Sequence, residues 1–289
     1  MSFNIQTTPI GDFEVIQLSD SSNGIALEIM TRGALLNSWK LEGESTSIAF
    51  IEGNDFSDGW NDFEKNGFRS AKMSPFACRL FKGTYTHLHQ EYIIEKYYAN
   101  KHAIHGIIYD AIFSIKSTGI SDQNAFVVLE YQYLAVDKGF PFKYTIEVKW
   151  TLELNRKIVV ETNIINQSST NIPMVDGWHP YFTIGNTIED CTIKFKAKGK
   201  MHYDADLLPT GEMIEEKSFE QGKKIGSIML DDGFELDPID PSCTLENDFY
   251  SIRIEPNSRY PYLQLYTPPN RKSIAIENLS GAPNAFNNK

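Results

Sequence analysis

Cysteine is scarce in this 289-residue chain. Only Cys78, Cys191 and Cys243 occur, far apart, odd in number and without a Cys-x-x-Cys spacing. That argues against a disulfide framework, and a reduced, cytoplasmic setting is the simplest expectation. Basic charge is also in deficit: 27 Lys and Arg face 38 Asp and Glu, a net −11. A phosphate backbone or an anionic membrane is therefore not expected as the main partner. Long apolar runs are missing, and no stretch approaches the ~20 residues of a spanning helix. The first residues, MSFNIQTTPIGDFEV, show no basic segment followed by an apolar run, so no secretory leader is expected. Helical periodicity is nearly absent. Residues 55–65 have room for a turn or two, weakened by Gly59 and scattered apolar positions. No repeat, low-complexity tract or Gly/Ser/Pro linker divides the chain, so residues 1–289 are expected to form one domain.

What the chain does have is core material and alternation. Hydrophobic residues make up 41% and aromatics 12%, which excludes wholesale disorder and leans towards strands. A chain of this mass buries about three-quarters of its unfolded surface, so it needs no disulfide or metal staple. The clearest period of two runs over residues 144–154. Tyr144, Ile146, Val148, Trp150, Leu152 and Leu154 are apolar and the intervening residues polar, the pattern of a strand with one dry face. Asn155-Arg156 then predicts a turn and residues 157–165 a returning strand. Further strands are predicted over 13–18, 25–30, 34–41, 92–98, 113–118, 126–134, 192–197, 249–255, 263–267 and 273–277. So many short strands without intervening helices predict an all-β fold, a sandwich or barrel.

Four of the six histidines fall within residues 87–105. His87-Leu88-His89 on a strand would share a face, and a cupin-like metal site is one reading. Glu91 follows too closely, however, and no second motif with a downstream His is apparent, so a polar hairpin tip over 84–90 is the better reading and no metal is expected. His105 sits among apolar residues beside Gly106, which allows close approach of a ligand or another backbone. His179 lies in Val175-Asp176-Gly177-Trp178-His179-Pro180-Tyr181-Phe182. Aromatic faces with one polar group suit a sugar, and equally a core cluster with one buried His. Glu277 closes the apolar run Ile274-Ala275-Ile276. There it is either exposed at a strand end or half-buried with a raised pKa, as a general base near neutral pH requires.

Taken in order, these segments resemble the aldose 1-epimerase (galactose mutarotase-like) family. Ser74-Pro75-Phe76-Ala77-Cys78-Arg79-Leu80 running into Lys82-Gly83-Thr84-Tyr85 resembles the family's segment ending in an Arg. His105-Gly106 resembles its His-Gly motif, and His179-Pro180-Tyr181-Phe182 its His-x-Tyr-Phe motif. Leu207-Leu208-Pro209-Thr210-Gly211-Glu212 resembles its Pro-Thr-Gly-Glu segment. Glu277 followed by Pro283-Asn284-Ala285-x-Asn287 resembles its C-terminal signature. Cys78, where many members have Asn, and Gly177-Trp178-His179-Pro180, where galactose mutarotases tend to have Thr-Asn-His-Ser, mark a divergent, shorter branch.

The resemblance implies a large antiparallel β-sandwich with little helix and an isomerase needing no cofactor. It would interconvert the anomers of a free hexose such as glucose or galactose. It implies His179 as general acid and Glu277 as general base. Arg79, His105, Asp231 (or Asp232, one residue on) and Gln264 would bind the sugar. Two alternatives remain: a hexose-6-phosphate mutarotase, with Arg69 and Lys72 as candidate extra cations, and a carbohydrate-binding protein without turnover. A small-molecule sugar is the expected partner, and monomer or homodimer is left open.

Overall fold

The computed structural model describes residues 2–43, 47–56, 63–185 and 187–288. Its strands form antiparallel sheets, and the only helical elements among the described residues are two short 3-10 turns, Phe81–Gly83 and Leu154–Arg156. No helix among these residues is long and apolar enough to cross a membrane.

The residue 144–154 pattern produces the centre of the first layer. Tyr144–Glu153 lies between Asn124–Tyr133 and Lys157–Asn166, with Ser114–Ile120 outside, a four-stranded meander. Tyr144, Ile146, Val148, Trp150 and Leu152 all point into the core, each no more than 1% exposed. Thr145 and Thr151 are buried as well, so the opposite face is drier than alternation alone implies. Its Glu147 and Lys149 are half-buried and paired with Lys116 and Glu161. Asn155 and Arg156 take left-handed φ of 61° and 63° and form the predicted turn.

A second meander begins the chain: Phe3–Ile10, Phe13–Asp20, Ile25–Met30, Leu36–Glu42 and Ser47–Ala49, in that order. The largest sheet runs Pro209–Ile214, Ala197–Tyr203, Asp231–Leu236, Tyr262–Tyr266, Ile274–Leu279, Gly177–His179 and Ala71–Met73, with Tyr181–Phe182 also paired to Ile274–Leu279. A four-stranded sheet (Lys223–Lys224, Thr192–Phe195, Cys243–Glu246, Ser251–Ile254) completes the larger layers. Side chains from all of them meet in one core, from Phe3, Ile16 and Leu27 through Trp150 and Val148 to Phe195, Phe234, Leu263 and Ile276. The fold is an all-β antiparallel sandwich.

The single strand predicted over 92–98 is two, Gln90–Ile93 and Tyr98–Ala99. Between them the backbone N–H groups of Glu95 and Lys96 donate to the Asp137 carboxylate at 2.9–3.0 Å rather than to a neighbouring strand, and that bends the chain. Residues 57–62 of the predicted turn over 55–65 lie outside the described residues; residues 63–65 form turns.

Candidate active site

Alternation in the largest sheet sends one set of side chains to the core and the other to the site. Phe234, Leu263, Leu265, Ile274 and Ile276 are buried against the sandwich. The intervening positions Asp231, Gln264, Tyr266 and Glu277 share the opposite face. Asp231 lies across from Tyr266, and Gln264 across from Glu277. Gly177 pairs with both Leu279 and Met73, which brings His179, two residues on, to the same face as Glu277 while Trp178 packs against Trp150 on the other. Sheet register thus places a carboxyl, an amide, a second carboxyl and an imidazole side by side.

Arg79 and His105 come from a separate support. Strand Arg79–Leu80 pairs with His102–Ile104, and a parallel bridge joins Ser74 to Gly106. The His105 N–H donates to the Cys78 carbonyl at 3.0 Å and the Ile107 N–H to the Ser74 carbonyl at 2.9 Å. Both turns need left-handed backbone: φ is 52° at Cys78, 60° at His105 and 80° at Gly106. The contact is so close that a Cβ on Gly106 would lie 2.2 Å from the Ser74 carbonyl oxygen. The C-terminal signature closes this support. The Asn284 N–H donates to the Arg79 carbonyl at 2.8 Å, the Asn284 Oδ1 accepts the Phe81 N–H at 3.0 Å, and Asn287 donates to the Thr84 carbonyl at 2.8 Å.

All six residues singled out from the sequence, His179, Glu277, Arg79, His105, Asp231 and Gln264, line one cavity of about 330 Å³, near the small end of ligand pockets (~300–1,000 Å³). Its wall also holds Glu64, Phe68, Cys78, Tyr97, Tyr181, Tyr203 and Tyr266. Asp231 is the carboxylate that faces the cavity. Asp232 turns away to pair with Lys200 at 2.6 Å. No motif in the sequence marks the tyrosines as ligands. Tyr181 stood inside the His-Pro-Tyr-Phe motif and Tyr266 two residues from Gln264, but nothing near Tyr203 marks it.

Glu277 and His179 are in direct contact. The His179 Nε2 lies 3.3 Å from the Glu277 Oε1, and the two side chains are only 6% and 2% exposed. Burial, with the charge of Asp231 adding to it, pushes the Glu277 carboxyl well above the usual carboxylate range, against the pull of Arg79. Burial pulls the His179 imidazole down to about 4. Neither group favours its charged form in isolation, so the two titrate as a coupled pair able to share a proton. The proton sits as carboxylic acid with imidazole or as carboxylate with imidazolium. His179 is fixed by stacking on Tyr181 at 5.0 Å and by the edge of His105 at 4.9 Å.

The surrounding groups supply donors and acceptors. Burial, His179 and Arg79 keep His105 neutral, and its Nδ1 lies against the Met73 sulfur at 2.9 Å. Burial raises the Cys78 thiol well above its ordinary range, so it stays S–H and donates to the Glu277 Oε2 at 3.9 Å. The Gln264 amide donates to the Asp231 Oδ1 at 2.9 Å. Among the described residues Arg79 forms no ion pair, so its guanidinium is available to the cavity. The other two candidate cations are committed elsewhere and do not line the cavity. Arg69 pairs with Glu52 at 2.9 Å, and Lys72 is buried against Asp176 at 2.6 Å. His87 and His89 sit at the tip of the hairpin Thr84–His87/Gln90–Ile93, with the His87 Nε2 2.8 Å from the Asn171 carbonyl. No group of three or more His, Cys, Asp or Glu side chains among the described residues is arranged to hold a metal.

The family model described as aldose 1-epimerase matches residues 14–289. A curated Escherichia coli relative, the uncharacterized protein YihR, is 26% identical over 222 residues, covering 74% of this chain and 70% of its own. Among solved structures, a galactose mutarotase-like protein from Clostridium acetobutylicum superposes with a TM-score of 0.88 at 20% identity, over 100% of this chain and 91% of that one. A galactose 1-epimerase from Lactobacillus acidophilus gives a TM-score of 0.81 at 18% identity, over 99% and 92%.

Proposed function

The chain belongs to the aldose 1-epimerase family, and on that premise we propose that it is a mutarotase acting on a free hexose such as glucose or galactose. The observation that carries this reading is the buried Glu277–His179 pair, 3.3 Å apart at the wall of a cavity sized for a small ligand.

In the carboxylate–imidazolium form, Glu277 takes the proton of the anomeric hydroxyl while the His179 Nε2 delivers one to the ring oxygen. The C1–O5 bond breaks and the open aldehyde rotates about C1–C2. Closure on the other face then returns both protons, with the two groups exchanging roles. The count of protons on the pair is the same before and after, so the reaction consumes no co-reactant. Each positioned acid or base typically contributes ~10²–10⁴-fold. Arg79 and neutral His105 offer donors and an acceptor to hydroxyls and the ring oxygen. Asp231 and Gln264 hold a neighbouring hydroxyl pair, and the tyrosine faces cover apolar C–H patches. The contiguous core supports reading residues 1–289 as one domain.

The wall supports a neutral sugar over a sugar phosphate: among the described residues that line the cavity, Arg79 is the only Arg or Lys, and Glu64 and Asp231 stand in the same wall. Polarimetry on fresh α-D-glucose, α-D-galactose and glucose 6-phosphate tests this. Acceleration of a free hexose above the spontaneous rate is expected. Acceleration of the phosphate alone moves the substrate, and saturable binding without acceleration reduces the protein to a sugar-binding module.

A further inference from the structure

We propose that Tyr203 is a positioning residue of this site, acting through Gln264, and that Gly233 exists as glycine to let it reach. The proposal rests on reading the cavity as a sugar site. Tyr203 ends the strand Ala197–Tyr203, which is separated from the strand of Gln264 by Asp231–Leu236. To touch Gln264 its phenol must cross over that intervening strand. The residue it crosses is Gly233, which lies opposite Gln264 in the ladder. A Cβ there would sit 2.0 Å from the Tyr203 hydroxyl and 3.0 Å from the Gln264 Oε1, so any side chain at 233 evicts the phenol.

The hydroxyl donates to the Gln264 Oε1 at 2.8 Å. A side-chain amide has two near-equivalent orientations, which only its partners distinguish. Here the Tyr203 O–H is a donor, which fixes the carbonyl towards it and turns the NH₂ to the Asp231 Oδ1, 2.9 Å away. The phenol keeps its proton because burial and the nearby Cys78, Asp231 and Glu277 raise it far above neutrality, so the direction of this relay does not change with pH. The consequence is an ordered edge beside Glu277. Asp231 is left with Oδ2 as an acceptor and Gln264 with its second N–H as a donor, a complementary pair for two adjacent hydroxyls. Without the phenolic O–H the amide is free to turn its carbonyl to the Asp231 carboxylate, which repels it. The ligand then has to correct the orientation on binding.

The test is a double-mutant cycle on the full chain with the sugar it turns over fastest, reading KM and kcat separately and the thermal midpoint alongside. Tyr203→Phe should raise KM about 3- to 10-fold, the worth of one neutral hydrogen bond, with a smaller change in kcat. Gly233→Ala, which keeps the phenol but displaces it, should reproduce that rise. In a Gln264→Ala background, Tyr203→Phe should have no further effect on KM. A wild-type KM in Tyr203→Phe, or effects of Tyr203→Phe and Gln264→Ala that multiply, overturns the proposal. Multiplying effects would mean that Tyr203 acts on the sugar or the fold independently of Gln264. Calorimetric sugar affinity over wild type, Tyr203→Phe, Gln264→Ala and their combination separates the two levels. Coupled affinities without turnover refute the mutarotase reading and keep Tyr203 as a positioning residue. Turnover without coupling refutes Tyr203 alone, and absence of both binding and turnover refutes the two together.

Discussion

The junction carrying Arg79 and His105 should be unusually intolerant of one added methyl group. Gly106→Ala meets two costs. A left-handed backbone at a non-glycine residue costs roughly 1–2 kcal/mol, and φ at Gly106 is +80°. The new Cβ would also lie 2.2, 2.6 and 2.7 Å from the Ser74 O, C and N. These are backbone atoms held by the parallel bridge, so relief requires moving the whole segment, which we set at about 1–3 kcal/mol by analogy with overpacked cores. The total is about 2–5 kcal/mol, or roughly 4–10 °C in Tm at ~2 °C per kcal/mol for a chain of this size. Gly211→Ala is the control. Its φ is +88° but nothing lies within 4 Å of the added atom, so it bears the strain alone, roughly 2–4 °C. Displacing His105 should also raise KM for the sugar in Gly106→Ala and not in Gly211→Ala. Differential scanning calorimetry and steady-state kinetics on both variants decide it. Equal Tm shifts would refute the argument that contact with Ser74, rather than backbone strain, makes Gly106 necessary.

Because burial lowers the His179 imidazole to about 4, kcat/KM should hold on the acid side until about pH 4, where the pair gains its second proton; an acid limb at the ordinary histidine value of 6.5 would contradict this. Glu277 is raised in the native state, so the unfolded chain ionises it at lower pH than the folded one does, and wild-type stability falls as pH rises above the ordinary 4.5. Glu277→Gln does not titrate, so its Tm advantage over wild type should grow from acid to mildly alkaline pH; a pH-independent difference would refute the raised carboxyl. Cys78, Cys191 and Cys243 are all buried with raised thiols, so iodoacetamide at neutral pH should leave the native protein unlabelled and modify all three in denaturant.

The sandwich was legible where burial is one-sided. Residues 144–154 alternate because one face is the core, and Ile25–Met30 was predicted to the residue. Asp231–Leu236 was not predicted as a strand. Its sequence, Asp-Asp-Gly-Phe-Glu-Leu, is poor in strand formers because two of its positions serve the site: Asp231 faces the cavity and Gly233 admits a tyrosine. Local propensity fails there because the site overrides it. The same tension hides the support under Arg79 and His105. Cys78 and His105 carry positive φ without being glycine, and only Gly106 signals the close approach. The six residues that meet in the cavity are legible through short motifs and not through periodicity. Their assembly depends on cross-strand register, Gln264 opposite Glu277 and Gly177 opposite Leu279, which no local window contains. Tyr203 left no trace because its partner lies two strands away.

In the proposed mechanism the buried Glu277–His179 pair transfers both protons of ring opening. The most direct measurement is the initial mutarotation rate of the preferred hexose, by polarimetry, for wild type and Glu277→Gln at equal concentration, with circular dichroism confirming that both are folded. A wild-type rate above the spontaneous one and a loss of ~10²–10⁴-fold in the variant are expected. A folded Glu277→Gln protein that turns sugar over at the wild-type rate would contradict it.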